Sequence, residues 1–576
     1  MGANTFMLEY ILAVNSERQH MANLSQLRRQ RMLAFLEKMR EQHKDDDEVL
    51  VAINEVENEI NEKKYGLVWE EHSEEVEERM VDEVPIFVED KDKEITMTDN
   101  DYNFLLEGDN LHSLHLLEKT HKEKIDVIYI DPPYNTGNDD FIYDDSRVGK
   151  DDCFRHSKWL SFMAHRLAIA KNLLSTDGAI FISIDDNEEA QLKSLCDAVF
   201  GEQNFVACIP RMTSAQRPAQ EAYVSIQHDY LLVYVKQKIG NFRKIIGRQG
   251  LEKVKKDNIG TYIPGDTSPI LASATQGYSA GGDYDFEYKG VVYSPVANDG
   301  SRRRWLWTKD RMEKAAELGI LVPTRSGGLR VQNYIDMEFE VGTNLMKPKE
   351  SNLILASYDF MNSQYVNKNG AQALVDAGVS FSFPKPVQLV KDIISLCDKS
   401  DAVVLDFFAG SGTTGQAVLE LNRADGGNRH FILCTDNQNN ICGGVTYPRL
   451  RTVITGIRQD GSKYSDNIPA DLKYYHTDYI PKNSGTLVQD LISHIDEMIQ
   501  LEYGVKIDKE KYISILTDED ADELEKNWTN YPNIRAIYIS RHVLLTGKQK
   551  ELFGTHDCFT IPDYYFREEL REAGEA

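Results

Sequence analysis

Cysteines, long apolar runs and basic residues are all scarce in this chain of 576 residues. The cysteines are scattered without a CxxC pair, which argues against both a disulfide framework and a zinc site. They are Cys153, Cys196, Cys208, Cys397, Cys434, Cys442 and Cys558. No run approaches the roughly 18 apolar residues of a membrane span, and the apolar start lacks an export signal's basic flank and cleavage site. We therefore expect a reduced, cytoplasmic protein without a membrane partner.

Positive charge is in deficit. The chain has 65 lysines and arginines against 93 aspartates and glutamates, which gives a formal net charge of -28. Such a balance is unusual for a protein that binds nucleic acid, because neutralisation of phosphates supplies much of the affinity. The acidic residues are concentrated toward the two ends of the chain, so a basic cleft between them stays compatible with the sequence.

Five regions of different character follow one another. Residues 1–95 are charged, with apolar residues at helical spacing, and predict a helical N-terminal extension. Strands alternate with helices over 96–237 and again over 379–460, and together these blocks predict one doubly wound α/β sheet. Residues 238–378 lie between the blocks and predict an inserted domain. Residues 461–576 predict a small α/β C-terminal region.

The insert combines basic and aromatic residues. Basic residues are frequent where it begins, at Lys236, Lys238, Arg243, Lys244, Arg248, Lys253, Lys255 and Lys256. Further on it reads Arg302-Arg303-Arg304-Trp305-Leu306-Trp307. Such a mixture suits a surface that contacts phosphates and bases. We predict DNA contact for the three arginines, and for the two tryptophans we favour packing in a core.

A short apolar strand that ends at Ile130 is followed by Asp131-Pro132-Pro133-Tyr134. Ligands of open parallel sheets bind outside the carboxyl ends of strands. The prolines remove two backbone donors, which leaves the Pro132 carbonyl as an acceptor. Asp131 and this carbonyl can accept both hydrogens of an exocyclic base amino group, while Tyr134 stacks on a base rotated out of the duplex. A proline-rich turn capped by Asp and Tyr is the competing interpretation.

A glycine-rich turn follows a second strand, in the segment Asp406-Phe407-Phe408-Ala409-Gly410-Ser411-Gly412-Thr413-Thr414-Gly415. Turns of this kind present backbone N–H groups to nucleotide-like cofactors. A phosphate-binding P-loop is excluded because no lysine follows the glycines. The letters also match GxGxxG, but the acidic residue expected roughly 20 residues later is missing, and Asp436 lies beyond that interval.

The two elements together resemble the amino-methyltransferases of DNA. The catalytic motif comes first, a variable insert next and the cofactor motif last, an order that resembles the β class of N6-adenine methyltransferases. Two further segments, Lys64 to Glu70 and Asn135-Thr136-Gly137, are similar to the modification (Mod) subunit of Type III restriction-modification systems. The resemblance implies a Rossmann-like S-adenosylmethionine-dependent methyltransferase fold with circularly permuted motif order, in which the insert is a target-recognition domain.

The resemblance also implies roles for the matching residues. The catalytic residues are expected to be Asp131, Pro132, Pro133 and Tyr134, which hold the target adenine. Asp109 is expected at the adenine of S-adenosylmethionine and Lys385 near its carboxylate. The remaining cofactor-binding residues are expected to be Asp406, Phe408, Gly410, Gly412 and Thr413, with Asp436 as the displaced candidate for the ribose hydroxyls. The DNA-binding residues are expected to be Arg302, Arg303 and Arg304.

Several alternatives stay open at this stage. An N4-cytosine methyltransferase uses the same geometry, although such enzymes more often carry serine where this chain has Asp131. A DNA-recognition subunit that directs a separate nuclease is a second possibility, and it is compatible with methyl transfer. The resemblance implies double-stranded DNA, a second copy of the chain and a restriction (Res) subunit as partners. No metal is expected, because the acids from Asp185 to Glu188 sit where a helix begins and are explained by capping.

Overall fold

In a computed structural model, the chain is described at residues 32–40, 44, 47–61, 69, 72–98, 101–137, 141–143, 146–149, 152, 154–216, 224–237, 242, 255–272, 279–297, 300–325, 327–334, 337–348, 355–562, 565–567 and 571. It forms two compact units, residues 1–70 and residues 71–576. The predictions for Lys64 to Val68, for Glu70, and for most basic residues near the start of the insert lie outside the described residues.

Two helical segments of the first unit are described, residues 32–40 and helix α1 (Asp47–Asn61). Arg40 links them, because its Nη2 donates to Asn54 Oδ1 and Glu57 Oε2, each at 2.6 Å. Residues 1–31 of the predicted helical extension lie outside the described residues.

The strands, in chain order, are β1 (Glu83–Glu89), β2 (Tyr102–Glu107), β3 (Ile125–Ile130), β4 (Ile142–Tyr143), β5 (Ser146–Arg147), β6 (Leu174–Ile184), β7 (Phe205–Met212), β8 (His228–Val235), β9 (Lys255–Lys256), β10 (Thr261–Pro269), β11 (Phe286–Tyr288), β12 (Val291–Tyr293), β13 (Leu321–Pro323), β14 (Leu329–Tyr334), β15 (Met337–Phe339), β16 (Met346–Pro348), β17 (Val403–Asp406), β18 (His430–Thr435), β19 (Asp471–Pro481), β20 (Tyr512–Ile515), β21 (Ala536–Ser540) and β22 (Asp557–Ile561). The helices of the second unit are α2 (Glu75–Asp82), α3 (Asn110–His121), α4 (Arg155–Leu173), α5 (Glu189–Phe200), α6 (Lys309–Glu317), α7 (Asn367–Ala377), α8 (Val387–Ser395), α9 (Thr413–Asp425), α10 (Tyr447–Thr455), α11 (Leu487–Ile492), α12 (Ile495–Tyr503), α13 (Asp518–Lys526) and α14 (Gly547–Phe553).

A nine-stranded sheet organises the second unit, in the order β1-β19-β2-β18-β17-β3-β6-β8-β7. The strands from β19 to β6 pair in parallel, whereas β1, β8 and β7 pair antiparallel at the edges. The central strands are almost continuous apolar runs, as expected where helices cover both faces of a parallel sheet. The predicted α/β fold with an interrupted sheet is confirmed.

Two strands of this sheet come from outside the predicted methyltransferase parts. Strand β1 belongs to the predicted N-terminal extension, and β19 to the predicted C-terminal region. Their sequences mix charged residues with tyrosine and valine, so their place in the sheet depends on pairing between distant segments rather than on a strong local pattern.

The insert has a core of its own. Strands β13, β14, β10 and β9 form a small sheet, and Trp305, Ile270 and Met312 are among the residues buried against it. The core position of Trp305 agrees with the interpretation favoured from the sequence. The later part of the predicted insert returns to the main body, because Phe360 and Tyr365 pack in the core beside the central sheet.

The C-terminal region ends in a separate small sheet. Strands β20, β21 and β22 are parallel and alternate with α13 and α14. Ile515, Leu524, Ile537 and Phe553 are buried in its core. This βαβαβ arrangement matches the small α/β region that the sequence predicts. Across the described residues, none of the helices combines the length and apolarity needed to traverse a bilayer.

Candidate active site

Two motif-bearing loops begin side by side at one edge of the central sheet. Strands β3 and β17 are parallel neighbours, with Val127 opposite Val404 and Ile128 opposite Leu405. From β17 the chain continues to β18 on one side, and from β3 it continues to β6 on the other. Neighbouring strands whose connections diverge in this way leave a crevice at their carboxyl ends, where ligands bind in open α/β sheets. Sequence-distant motifs are therefore brought to one crevice.

The loop after β3, residues 131–137, is held by several side chains. The carbonyl of Pro133 accepts a hydrogen bond from Trp159 Nε1 at 2.7 Å, and the hydroxyl of Tyr134 donates to Asp229 Oδ2 at 3.2 Å. Burial is the main reason that the pKa of Tyr134 is well above its ordinary value, so this hydroxyl stays protonated. Among the described residues, no backbone N–H outside helices and strands donates to the Pro132 carbonyl.

Asp229 is itself paired with a buried arginine. Arg211 donates through Nε to Asp229 Oδ1 at 2.7 Å and through Nη2 to the second carboxylate oxygen. Its Nη1 donates to the Tyr365 carbonyl at 3.0 Å and to Asn367 Oδ1 at 2.7 Å. The loop thereby connects to β7, β8 and the chain entering α7. This pair was not anticipated from the sequence.

Asp131 makes a close ion pair with Lys385. The Lys385 ammonium donates to both Asp131 oxygens, each at 2.6 Å, and lies 4.9 Å from the centroid of the Tyr134 ring. The lysine side chain is buried, whereas that of Asp131 is partly exposed. Lys385 therefore contacts the Asp131 carboxylate and the face of the Tyr134 ring. These are two of the groups that the sequence analysis assigns to binding of the target base.

The glycine-rich loop after β17 is organised by Asp406. This buried carboxylate accepts from the Phe408 N–H at 3.0 Å and from Thr414 Oγ1 at 2.5 Å. Burial raises the pKa of Asp406 to about 7, although both hydrogen bonds favour the ionised form. The turn needs glycine because Gly410 and Gly412 have left-handed φ angles of 46° and 74°.

A buried arginine supports the same loop from behind. Arg449 Nη1 donates to the Ser411 carbonyl at 3.0 Å and to Thr413 Oγ1 at 2.9 Å, and its Nε donates to Gln416 Oε1 at 2.8 Å. Burial lowers the pKa of Arg449 to about 10, which still leaves the guanidinium protonated at neutral pH. Arg449 was not predicted from the sequence, because it lies in α10 and belongs to no recognisable motif.

A cavity of about 420 Å³ opens between the two loops. Its aromatic side is formed by Phe141, Phe162 and Phe408, whose rings follow one another at centroid distances of 5.3 and 5.8 Å. Carboxylates of Glu74, Asp109, Asp131 and Asp436 also line it. Asp436 is accessible to solvent at the mouth of the cavity, and desolvation by the surrounding protein raises the pKa of its carboxyl above the ordinary value. The cavity thus suits a ligand with a flat ring and positive charge.

Some predicted site residues lie on this cavity and others do not. Those in its wall are Asp109, Asp131, Pro133, Phe408, Gly410 and Asp436. Pro132 and Tyr134 belong to the adjoining loop. Asp406, Gly412 and Thr413 are not among the residues that line the cavity, and they shape and support the glycine turn. Their contact with the cofactor stays a prediction. Lys385 also lies away from the cavity wall, with its ammonium on Asp131.

Arg166 supports the opposite side of the cavity and was also missed. Its guanidinium donates to both oxygens of Glu74, at 2.6 and 3.0 Å, and lies 3.7 Å from the Phe162 ring centroid. Its Nε donates to Asn110 Oδ1 at 2.5 Å, and Asn110 Nδ2 donates to the Phe407 carbonyl at 2.7 Å. The only sequence signal was an arginine on the apolar face of α4.

The three arginines of the insert stand apart from the cavity. Arg302 is exposed, and its Nε is 2.7 Å from Asp283 Oδ1. The N–H of Arg303 donates to the Pro295 carbonyl at 2.6 Å, and the Arg304 carbonyl accepts from the Ala272 N–H at 2.9 Å. Their contact with DNA stays a prediction.

The sequence is similar to known DNA-modifying proteins. The family model described as DNA methylase, N6_N4_Mtase, matches residues 125–444. The Type II methyltransferase M.KpnI of Klebsiella pneumoniae is 32% identical over 405 residues, which cover 67% of this chain and 93% of that protein.

Two Mod subunits of Type III restriction-modification enzymes are also similar. That of StyLTI from Salmonella typhimurium is 34% identical over 363 residues, which cover 59% of this chain and 53% of that protein. That of EcoPI from Escherichia phage P1 is 33% identical over 436 residues, which cover 67% of this chain and 66% of that protein. The match spans between about half and two thirds of these relatives' length.

Proposed function

The chain belongs to the DNA methylase family, and from that premise we propose that it transfers a methyl group from S-adenosylmethionine to N6 of an adenine flipped out of double-stranded DNA. One observation carries the proposal: the Asp131 loop and the glycine-rich loop leave neighbouring strands, and Asp131 lies in the wall of the cavity between them. The family membership rests on the match over residues 125–444.

The cavity fits the cofactor in shape and charge. Its phenylalanine rings offer stacking surfaces for adenine, and its carboxylates favour a ligand that carries sulfonium and ammonium charges. At Gly410, which lines the cavity, the backbone has a left-handed φ of 46°, a conformation that favours glycine. When bound, the cofactor supplies an electrophilic methyl group. Asp109, Phe408 and Asp436 are the residues we assign to holding it.

The Asp131 loop would prepare the nucleophile. The Asp131 carboxylate and the Pro132 carbonyl accept the two hydrogens of the adenine amino group, which localises the lone pair of N6 away from the ring. The Tyr134 ring, fixed through its hydroxyl to Asp229, stacks on the flipped base. When the N6–methyl bond forms, N6 loses one proton, and the hydrogen bond to Asp131 already points that proton at a carboxylate.

Lys385 has to leave Asp131 before the base can bind, so we expect Lys385→Met to lower the KM for DNA. A partly exposed ion pair is worth about 1 kcal/mol, or roughly five-fold in affinity. Steady-state methylation at varied DNA concentration measures the effect. Lys391→Met is a matched control, because Lys391 of α8 forms a similarly buried pair with Glu420 of α9. A raised cofactor Kd in Lys385→Met would instead support the carboxylate-binding role that the resemblance implies.

Asp436 gives cofactor binding a pH dependence. Its pKa is raised by desolvation in the free protein, and donors on a bound cofactor favour the ionised carboxylate. The affinity should therefore fall as the pH decreases through this raised pKa. We expect Asp436→Asn to weaken S-adenosylmethionine binding by about 1.5–3 kcal/mol at neutral pH and to flatten the pH profile in titration calorimetry. Asp460→Asn is the control, because Asp460 is a carboxylate that does not line the cavity. A wild-type affinity that rises on acidification contradicts the assignment.

We further propose that the chain is the modification and recognition subunit of a Type III restriction-modification system, a homodimer that can join a Res subunit. Its similarity to two Mod subunits and the separate core of the insert support this role. Sequencing of DNA from cells that express the protein, with detection of modified bases, should find N6-methyladenine within one recognition sequence. N4-methylcytosine in that sequence would favour the alternative target.

A further inference from the structure

A buried polar cluster supports the end of the Asp131 loop, and its residues do not line the cavity. Asn135 ends the Asp-Pro-Pro-Tyr-Asn segment with a left-handed φ of 54° and a fully buried side chain. Its Nδ2 donates to Glu188 Oε1 at 2.5 Å and to the Arg155 carbonyl at 3.2 Å. His156 Nδ1 lies 2.6 Å from the same Glu188 oxygen. The loop after β3, the start of α4 and the start of α5 thereby meet at one carboxylate.

Helix capping does not explain Glu188. It precedes α5, where the sequence predicts a capping role, but its side chain makes no capping hydrogen bond. Asp185 instead accepts from the Asn187 N–H at 2.9 Å, and Asp186 accepts from the Tyr230 hydroxyl at 2.8 Å. Glu188 is fully buried and directed to Asn135. A buried carboxylate is unfavourable unless it is hydrogen-bonded, so its position requires another explanation.

We infer that Glu188 is a positioning residue of the methyltransferase, which acts through Asn135 to fix the loop that carries Asp131 and the Pro132 carbonyl. Neither Glu188 nor Asn135 is among the residues that line the cavity. The inference rests on the proposed function. Trp159 donates to the Pro133 carbonyl, and Asp229 accepts from the Tyr134 hydroxyl. Glu188 accepts from Asn135, the next residue of the loop, and so adds a third contact at its far end.

The reaction would be sensitive to this contact, since a displacement of about 1 Å in a catalytic group can lower the rate roughly 100-fold. Burial raises the pKa of Glu188 to about 7, so both protonation states are accessible near neutrality. Glutamine keeps the shape and the Oε1 acceptor of the neutral form. It is therefore a conservative replacement that retains the bond from Asn135, whereas alanine removes it.

The test compares Glu188→Ala, Glu188→Gln and Asn135→Gly, each with S-adenosylmethionine and double-stranded DNA. Glycine suits the left-handed φ of residue 135 and deletes only the side chain. We expect kcat to fall about 10- to 100-fold in Glu188→Ala and in Asn135→Gly, with the Kd for S-adenosylmethionine and for DNA unchanged. Glu188→Gln should recover most of kcat. The control is Glu202→Ala, an exposed residue just after α5, which should behave as the wild type.

A double-mutant cycle separates positioning from a general structural role. If Glu188 acts through Asn135, the double variant Glu188→Ala/Asn135→Gly should be no slower than either single variant. The inference would be overturned if the losses of kcat in the two single variants added up in the double variant, or if kcat were unchanged in the single variants. It would also be overturned if the Kd values for S-adenosylmethionine and DNA both rose by as much as kcat fell. If Glu188→Ala does not fold, Asn135→Gly and Glu188→Gln carry the same comparison. A wild type without any methyl transfer would instead refute the proposed function.

Discussion

Replacing Asp131 with asparagine is expected to lower the rate of methyl transfer by a factor on the order of 10³, the upper range for loss of one transition-state hydrogen-bonding group. The Asp131 carboxylate lies in the cavity wall, and both of its oxygens accept hydrogen bonds from the Lys385 ammonium. Asparagine has the same shape but only one acceptor oxygen. Single-turnover transfer with saturating DNA and cofactor measures the loss.

The matched control for this change is Asp177→Asn. Asp177 also pairs with a lysine, Lys399 at 2.9 Å, but it does not line the cavity. We expect this variant to retain full activity. Cofactor and DNA binding should survive in Asp131→Asn, because the change removes no bulk. Methyl transfer at the wild-type rate in Asp131→Asn would contradict the catalytic assignment.

The second large effect concerns stability, and we expect Arg211→Met to lower the free energy of unfolding by about 3–5 kcal/mol. Arg211 and Asp229 are both almost completely buried. Removal of the arginine leaves the carboxylate in the interior without its cation, and it also leaves the Tyr365 carbonyl without its guanidinium donor. Denaturant unfolding followed by circular dichroism measures the change.

Two further variants isolate the cause. Arg211→Met/Asp229→Leu should recover most of the stability, because an apolar pair removes the isolated charge. The double variant should nevertheless be less active than the wild type, since Asp229→Leu removes the acceptor of the Tyr134 hydroxyl. Lys463→Met interrupts a highly exposed pair with Asp466 and should change stability by less than about 1 kcal/mol. If Arg211→Met and Lys463→Met lowered the free energy of unfolding equally, the burial of the Arg211–Asp229 pair would not explain the effect of Arg211→Met.

The local sequence pattern was sufficient to predict the strands at the centre of the sheet. Strands such as β3 and β17 are short apolar runs that end in motif residues, and the structure places them side by side. Strands β1 and β19 were not anticipated, because each is defined by a partner far away in the chain and has a mixed, partly polar sequence.

The residues of the candidate site also fall into those that the sequence predicts and those that it does not. Asp131, Phe408 and Gly410 could be named because they sit within motifs at strand ends. The contact of Lys385 with Asp131 could not, since it depends on how the segment before α8 crosses the loop after β3. Arg166 and Arg449 were missed for a related reason: each is a single buried cation whose partners come from other elements. Motifs indicate which loops matter, but long-range packing decides what supports them.

The most direct test of the central claim is mass spectrometry of nucleosides from DNA treated with the purified protein and S-adenosylmethionine that carries a deuterated methyl group. The proposed chemistry predicts N6-methyladenine with the deuterated methyl, and its absence with Asp131→Asn. Deuterated N4-methylcytosine would contradict the assignment to adenine, and the absence of any deuterated base would contradict methyl transfer at this site.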